Sequence, residues 1–139
     1  MADNSELSID EHGIKLELPS LDMYESASAQ LNASAIAFLK DFAEENNPII
    51  KDYYLVEVEG HTDDAPIHTS VYDSNWELSA ARATNVVKYL IEENINPEQL
   101  KGSGFADSRP KTSIEGLSDD ELKVARSINR RVIIHIRRD

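Results

Sequence analysis

Residues 54–93 read YLVEVEGHTDDAPIHTSVYDSNWELSAARATNVVKYLIEE, and this stretch decides the fold. Its first residues alternate apolar and polar side chains, the period of a half-buried β-strand, and Gly60 closes that strand. From Ser74 to about Glu93 the spacing becomes helical. The intervening residues 61–73 form a polar loop longer than about 12 residues, which is typical of a functional loop. The apolar stripe of the helix consists of Ala80, Ala83, Val87 and Leu90.

Capping boxes predict where two helices begin. In the first, Ser74 accepts a hydrogen bond from the backbone N–H of Glu77, and the Glu77 side chain reaches back to Ser74. Ser118 and Glu121 repeat the pattern and predict a shorter helix that ends near Ser127.

The flanking segments supply further elements. Residues 13–18 alternate as a strand, which Pro19 stops, and residues 31–46 have helical spacing that Asn46-Asn47-Pro48 is expected to end. Residues 100–105 predict a short strand whose glycines indicate close approach of another backbone. Residues 132–136 are apolar on both faces, which predicts a central strand.

The predicted order is therefore β-α-β-α-β-α-β, an α/β (α+β) sandwich in which helices cover a mixed sheet. Residues 1–12 are polar and acidic and are expected to be a flexible N-terminal segment. Residues 13–139 are expected to form one domain.

Composition excludes several functions. The formal net charge of −12 argues against a general nucleic-acid binder and against docking on an anionic lipid surface. The absence of cysteine rules out disulfides and thiolate metal sites. Neither a signal peptide nor an apolar run of the roughly 20 residues that span a membrane is present. If the protein works outside the cytoplasm, we expect its targeting segment to lie outside this chain.

Catalytic and metal-binding patterns are weak. Asp63 and Asp64 resemble a carboxylate pair, but sequence neighbours seldom give the opposed geometry of an acid and a base. His61, Asp63 and His68 match no metal-ligand spacing of a known kind. The Gly102-Ser103-Gly104 stretch is neither a nucleophile turn nor a phosphate loop. We therefore expect no catalytic residues, no metal and no cofactor.

One small group of residues is informative. Asp63 follows a strand, and Asn75, Leu78 and Arg82 lie in the first two turns of the next helix, where residues four apart share a face. An arginine on a packed face needs a carboxylate partner. Spacing alone favours a structural Asp63–Arg82 salt bridge, and the alternative is that both groups hold a ligand that bears both charges.

Three motifs in chain order resemble the OmpA-like peptidoglycan-binding domain over roughly residues 13–138. They are Gly60-His61-Thr62-Asp63, Asn75-Trp76-Glu77-Leu78-Ser79-Ala80-Ala81-Arg82-Ala83 and Asn129-Arg130-Arg131-Val132. The longer loop, with Asp64-Ala65-Pro66-Ile67 and Gly104-Phe105-Ala106-Asp107-Ser108-Arg109-Pro110, is similar to the MotB-type subgroup of flagellar stator proteins.

The resemblance implies a ligand, the meso-diaminopimelate of the peptidoglycan stem, whose side chain ends in an ammonium and a carboxylate on one carbon. Asp63 would pair with the ammonium and Arg82 with the carboxylate. The remaining implied ligand-binding residues are Thr62, Asn75, Leu78 and Arg130. Ala27 stands where the family often has glycine, which questions contacts from residues 24–28, and Ile133 stands where an acid is common.

The resemblance also implies a cellular setting. It indicates a periplasmic domain of a membrane-anchored bacterial protein, with the inner membrane favoured, that forms a homodimer and joins a channel-forming stator partner through a membrane segment. The alternatives are an outer-membrane anchor of the OmpA or Pal kind and a wall-acting hydrolase. Residues upstream would separate the two anchors, and incubation with muropeptides would reveal a hydrolase.

Overall fold

The computed structural model describes residues 6–25, 27–50 and 54–138, which form a five-stranded sheet and three α-helices. The strands are β1 (Glu6–Asp10), β2 (Gly13–Pro19), β3 (Tyr54–His61), β4 (Leu100–Gly104) and β5 (Arg131–Arg138). The helices are α1 (Ala33–Ile50), α2 (Asn75–Glu92) and α3 (Asp119–Asn129). Within these ranges no helix is both long and apolar enough to cross a membrane.

The sheet is mixed, with strand order β1-β2-β5-β3-β4. β3 and β4 run parallel, while β1–β2, β2–β5 and β5–β3 are antiparallel. β5 lies in the middle of the sheet, so the prediction of a central final strand is confirmed. The predicted mixed α/β architecture is confirmed as well.

The hydrophobic core lies between one face of the sheet and helices α1 and α2. Alternate residues of β2, β3 and β5 point into it, which is the period of two expected of a sheet with one packed face. They are Leu16, Leu18, Val56, Val58, Val132, Ile134 and Ile136, and they meet Leu39 and Phe42 of α1 and Val86 and Leu90 of α2.

The opposite face of the sheet is polar and internally paired. Glu59 accepts from His61 at 3.0 Å and lies 3.3 Å from His135, and hydrogen bonds from these two histidines lower the pKa of its carboxyl group. Arg137 pairs with Glu57 farther along the same strands. His61 therefore belongs to this polar face and is not available to the loop that follows it.

The expectation of a flexible segment over residues 1–12 is corrected for residues 6–10, which form β1 against β2. Leu7 and Ile9 alternate with polar residues, a strand signal that the acidic composition of the segment obscured. The turn to β2 is held by Asp10, which accepts from the backbone N–H of His12 at 2.7 Å. Residues 1–5 lie outside the described ranges.

The prediction that α1 ends before Pro48 is wrong, because the helix continues to Ile50 with Pro48 inside it. A proline in a helix interior costs roughly 3 kcal/mol. Ile50 is fully buried in the core, and burial of such a side chain stabilises by about 1.5–3 kcal/mol. Packing of Ile50 in the last turn of α1 thus offsets the free-energy cost of Pro48.

The two predicted capping boxes have different outcomes. Ser118 and Glu121 form the reciprocal pair at the start of α3, as predicted. Ser74 does cap α2, but its hydroxyl accepts from the backbone N–H of Trp76 at 3.1 Å and donates to the Glu77 carboxylate. The start of the helix and the reach of the Glu77 side chain back to Ser74 are confirmed, and the backbone donor to the Ser74 hydroxyl is corrected from Glu77 to Trp76.

Glycines at the ends of β3 and β4 allow α2 to approach the sheet. A Cβ atom on Gly104 would lie 2.4 Å from the backbone nitrogen of Ala80, and one on Gly60 would lie 2.2 Å from the carbonyl oxygen of Ser79. At Gly102 the nearest atom that a Cβ would meet is Cγ2 of Val87 at 3.4 Å, and Ala83 lies at 3.7 Å, both ordinary contact distances. The predicted close approach of another backbone is therefore confirmed at Gly104.

We expect Gly104→Ala to destabilise the domain and Gly102→Ala to be tolerated. The first substitution forces a methyl group into the backbone of α2, and overpacking of this kind costs about 1–3 kcal/mol. The second adds a methyl group at ordinary contact distance. Chemical denaturation of both variants measures the difference, and equal free energies of unfolding would contradict this account of the β4–α2 contact.

Candidate functional site

A cleft of about 370 Å³ opens where β3 ends, next to the first turns of α2 and the start of β5. All six residues that the sequence implicated line it: Thr62, Asp63, Asn75, Leu78, Arg82 and Arg130. Tyr24, Glu25 and Ala27 line it too, so the segment that the sequence left in doubt is part of its wall.

Hydrogen bonds hold the loop after β3 in place. The backbone N–H of Thr62 donates to the carbonyl of Ala106 at 2.9 Å, and the Thr62 hydroxyl donates to the carbonyl of Asp63 at 3.0 Å. Asn75 donates through its side-chain amide to the carbonyl of Ala65 at 2.9 Å. The position of Asp63 is thus set by both its own strand and the first turn of α2.

Asp63 is 8% exposed and accepts at both carboxylate oxygens. Oδ1 accepts from the backbone N–H of Ala65 at 3.0 Å, and Oδ2 accepts from Arg130 at 2.5 Å. Arg130 lies between α3 and β5, so this ion pair joins two segments that are distant in sequence. The interpretation of a structural Asp63–Arg82 salt bridge is therefore wrong, because Arg130 occupies that role.

Arg82 is 6% exposed, and within the described ranges no carboxylate forms an ion pair with it. Its Nε donates to the carbonyl of Ser28 at 2.8 Å, and its Cζ lies 4.9 Å from the centre of the Tyr24 ring. Burial lowers the pKa of Arg82, although the group stays charged at neutral pH because its ordinary pKa is above 12. Arg82 is thus a buried, oriented cation at the cleft wall.

The family model for the OmpA family matches residues 23–123, which is most of the chain. The chain belongs to the OmpA family. Among solved structures, the periplasmic domain of Helicobacter pylori MotB superimposes with a TM-score of 0.83 at 30% identity, over 98% of this chain and 83% of that one. The cell wall anchor of the T6SS from Pseudomonas aeruginosa superimposes with a TM-score of 0.84 at 27% identity, over 99% and 90%.

Curated relatives agree with this family assignment. The Bacillus subtilis protein YtxE is 34% identical over 130 residues, which are 93% of this chain and 50% of that protein. Motility protein B of Helicobacter pylori is 32% identical over 101 residues, 72% of this chain and 39% of that protein. The chain spans about half the length of these relatives, or less.

Sequence reasoning missed two features of this OmpA-family site. Tyr24 lies under the Arg82 guanidinium and donates its hydroxyl hydrogen to the carbonyl of Arg82 at 2.9 Å. Arg126 holds Asp64 through two bonds of 2.9 Å, and the bond from Arg126 lowers the pKa of the Asp64 carboxyl group. An arginine four residues before Arg130 was the available sequence signal for the second feature.

Asp63 and Asp64 consequently serve different partners, Arg130 and Arg126, and do not face a common point. His61 points to the polar face of the sheet, and His68 contacts the carbonyl of Asp73 at 3.3 Å. In the described part of the chain, no three histidine or acidic side chains come together to hold a metal ion. What the OmpA-family cleft offers chemically is a fixed carboxylate beside two fixed guanidinium groups.

Proposed function

We propose that this chain is a non-catalytic peptidoglycan-binding domain that holds the diaminopimelate side chain of the peptide stem. The observation that carries the proposal is the buried Arg82 guanidinium, which has no carboxylate partner among the described residues and lines the same cleft as the buried Asp63. A buried charge is costly unless it is paired, so a ligand carboxylate is the natural complement of Arg82.

Each wall of the cleft matches a part of that ligand. Arg82 takes the carboxylate through its planar pair of N–H groups, and Asp63 takes the ammonium on the same carbon. Leu78 is apolar and faces the methylene chain, while Thr62 and Asn75 supply polar lining. A volume of about 370 Å³ is within the range of small-molecule pockets.

Arg130 has a more specific role than the added positive charge that the resemblance implied. Its bond to Asp63 holds the carboxylate toward the cleft in the free domain. When the ligand binds, its ammonium group and Arg130 both contact the Asp63 carboxylate. Arg130 can then also contact the ligand carboxylate. The cleft carries one more guanidinium than buried carboxylate, which suits a ligand that brings an acid of its own.

For the whole protein, we propose a MotB-type stator protein, anchored in the inner membrane, whose periplasmic part forms a homodimer and joins a channel-forming partner. The MotB relatives support this setting. The alternative is an outer-membrane-to-wall anchor, which the similarity to Pseudomonas fluorescens outer membrane porin F supports, at 35% identity over 77 residues.

We expect the domain to bind a soluble muramyl tripeptide that ends in diaminopimelate at least about thirtyfold more tightly than the same compound ending in lysine. Lysine keeps the ammonium but lacks the side-chain carboxylate, so Arg82 is left unpaired, a loss of roughly 2–5 kcal/mol. Isothermal titration calorimetry with the two compounds measures this ratio directly.

Sacculi provide the matching control for this specificity. The domain should sediment with diaminopimelate-type sacculi and release no soluble muropeptide from them. Equal affinity for the two tripeptides would show that Arg82 does not recognise the carboxylate, and muropeptide release that one substitution abolishes would replace the binding function with a hydrolytic one.

A further inference from the structure

A second concavity, of about 250 Å³, adjoins the diaminopimelate cleft on the side of Trp76. We call it the Trp76 shelf. It shares Pro66, Ile67 and Asn75 with the cleft, so the two form one continuous surface around the start of α2. Asp64, Trp76 and Asp107 line the part that the cleft does not include.

The indole of Trp76 is half exposed, and no polar or ring contact holds it among the described residues. It is 54% exposed, and within the described ranges it stacks on no ring, contacts no cation and forms no hydrogen bond through its N–H. Only the Trp76 backbone takes part in the helix cap. Large aromatic side chains with one polar group are enriched at binding surfaces, because they combine an apolar face with a hydrogen-bond donor.

We propose that the Trp76 shelf binds the uncharged amino sugar to which the peptide stem is attached. A pyranose ring presents C–H groups that pack on an indole face and hydroxyl and amide groups that bond to the surrounding oxygens. Asp107 is exposed beside Trp76, and Asp64 faces the same space. This inference rests on the proposed function, because it places the sugar by means of a stem held in the cleft.

Charge selects the sugar over other ligands of a cell wall. Among the described residues Asp107 has no ion-pair partner, so its carboxylate disfavours an anion such as a phosphate-bearing polymer, whereas the charge of Asp64 is balanced by Arg126. The lactyl carboxyl group of muramic acid is consumed in its amide bond to the stem, so the sugar arrives without charge. A neutral ring with several hydroxyl donors is therefore the complement of this surface.

The length of the stem is compatible with this placement. Two residues separate diaminopimelate from the sugar, and because γ-D-Glu is linked through its side chain, they span more than the roughly 7 Å of two extended α-linked residues. The sugar must then lie outside the cleft that holds the diaminopimelate side chain, yet close to its rim. The shelf begins at residues that line the cleft itself.

The test compares two ligands that differ only in the sugar, N-acetylmuramyl-L-Ala-γ-D-Glu-diaminopimelate and the same tripeptide without the sugar. We expect the sugar to strengthen binding about three- to tenfold, the range of one aromatic contact. Trp76→Ala should remove that gain and leave the affinity for the sugar-free tripeptide unchanged. Trp76→Phe should retain part of the gain.

Trp76 is the only tryptophan in the chain, so its fluorescence reports on the shelf alone. The sugar-bearing ligand should protect it from acrylamide quenching, and the sugar-free tripeptide should not. Val71→Ala is the control, because Val71 is exposed on the loop that precedes α2 and lines neither concavity.

An equal loss of affinity for both ligands in Trp76→Ala would show that Trp76 contacts the stem and would overturn the sugar assignment. No gain from the sugar in the unaltered domain would overturn it as well. If neither ligand binds the unaltered domain, the proposed function fails, and the role of the shelf fails with it.

Discussion

Arg82→Ala should nearly abolish binding to diaminopimelate-type sacculi. The substitution leaves the ligand carboxylate without its guanidinium partner, and truncation of one member of a desolvated charge pair costs roughly 2–5 kcal/mol. That is a loss of about thirtyfold or more in affinity. Co-sedimentation with sacculi and calorimetry with the soluble tripeptide both measure it.

The same substitution should disturb the fold much less. The substitution removes one hydrogen bond to Ser28 and the contact with the Tyr24 ring, but it also removes a buried charge that no carboxylate pairs with in the described part of the chain. We expect the melting temperature to move by only a few degrees. Arg137→Ala, which removes an exposed arginine on the polar face of the sheet, should leave binding unchanged.

Arg82→Lys separates charge from geometry at this position. Lysine keeps the positive charge but presents a point charge in place of the planar pair of donors, and it cannot reproduce the bidentate bond. We expect binding between that of the alanine variant and that of the unaltered domain. Full binding by Arg82→Ala, with circular dichroism showing a folded domain, would refute the proposed mechanism even though the family assignment would stand.

Asp63→Asn is expected to weaken binding by a similar factor, because it removes the negative charge that pairs with the ligand ammonium. Asparagine keeps the shape of the side chain and can still accept from the backbone N–H of Ala65, so the loop retains its turn. The charge is gone, however, and the ligand ammonium then faces Arg82 and Arg130 with no carboxylate between them. We expect the free energy of binding to become less favourable by roughly 2–5 kcal/mol, which is a loss of more than about thirtyfold in affinity.

The Asp63–Arg130 ion pair makes a control necessary, because Asp63→Asn also weakens the fold. Loss of a hydrogen bond to a charged group should lower the free energy of unfolding by about 2 kcal/mol. Arg130→Ala breaks the same ion pair but leaves the carboxylate in the cleft. It should reduce affinity by about tenfold or less. If both variants lost binding equally, the ion pair and not the carboxylate would be the requirement.

A double variant, Arg82→Ala with Asp63→Asn, tests whether one ligand group is held by both residues. Each single substitution already removes most of the binding, so the losses should not add. Fully additive losses would indicate two ligands or two separate contacts. This measurement needs the soluble tripeptide, because sacculi present many stems at once and multivalency conceals differences in affinity.

Features that depend on neighbours within a few residues could be predicted from the sequence. Alternation identified β2 and β3, an apolar run identified the central β5, helical spacing identified α2, and the Ser118–Glu121 pair marked the start of α3. Gly104 in β4 predicted the close approach of the α2 backbone. Spacing singled out Asp63, Asn75, Leu78 and Arg82, and the resemblance of three motifs to the OmpA-like domain added Thr62 and Arg130. All six line one cleft.

Which charges pair depends on the assembled fold. Asp63 and Arg130 are 67 residues apart, and Asp64 and Arg126 are 62 apart, so no local pattern relates them. Tyr24 comes under Arg82, and Ile50 keeps α1 helical past Pro48, because the assembled core brings them there. Local sterics and hydrogen bonds between near neighbours determine the strands, the helices and their caps. The partner of a buried charge depends instead on which distant segments the sheet topology brings together, because a buried charge without a partner is costly.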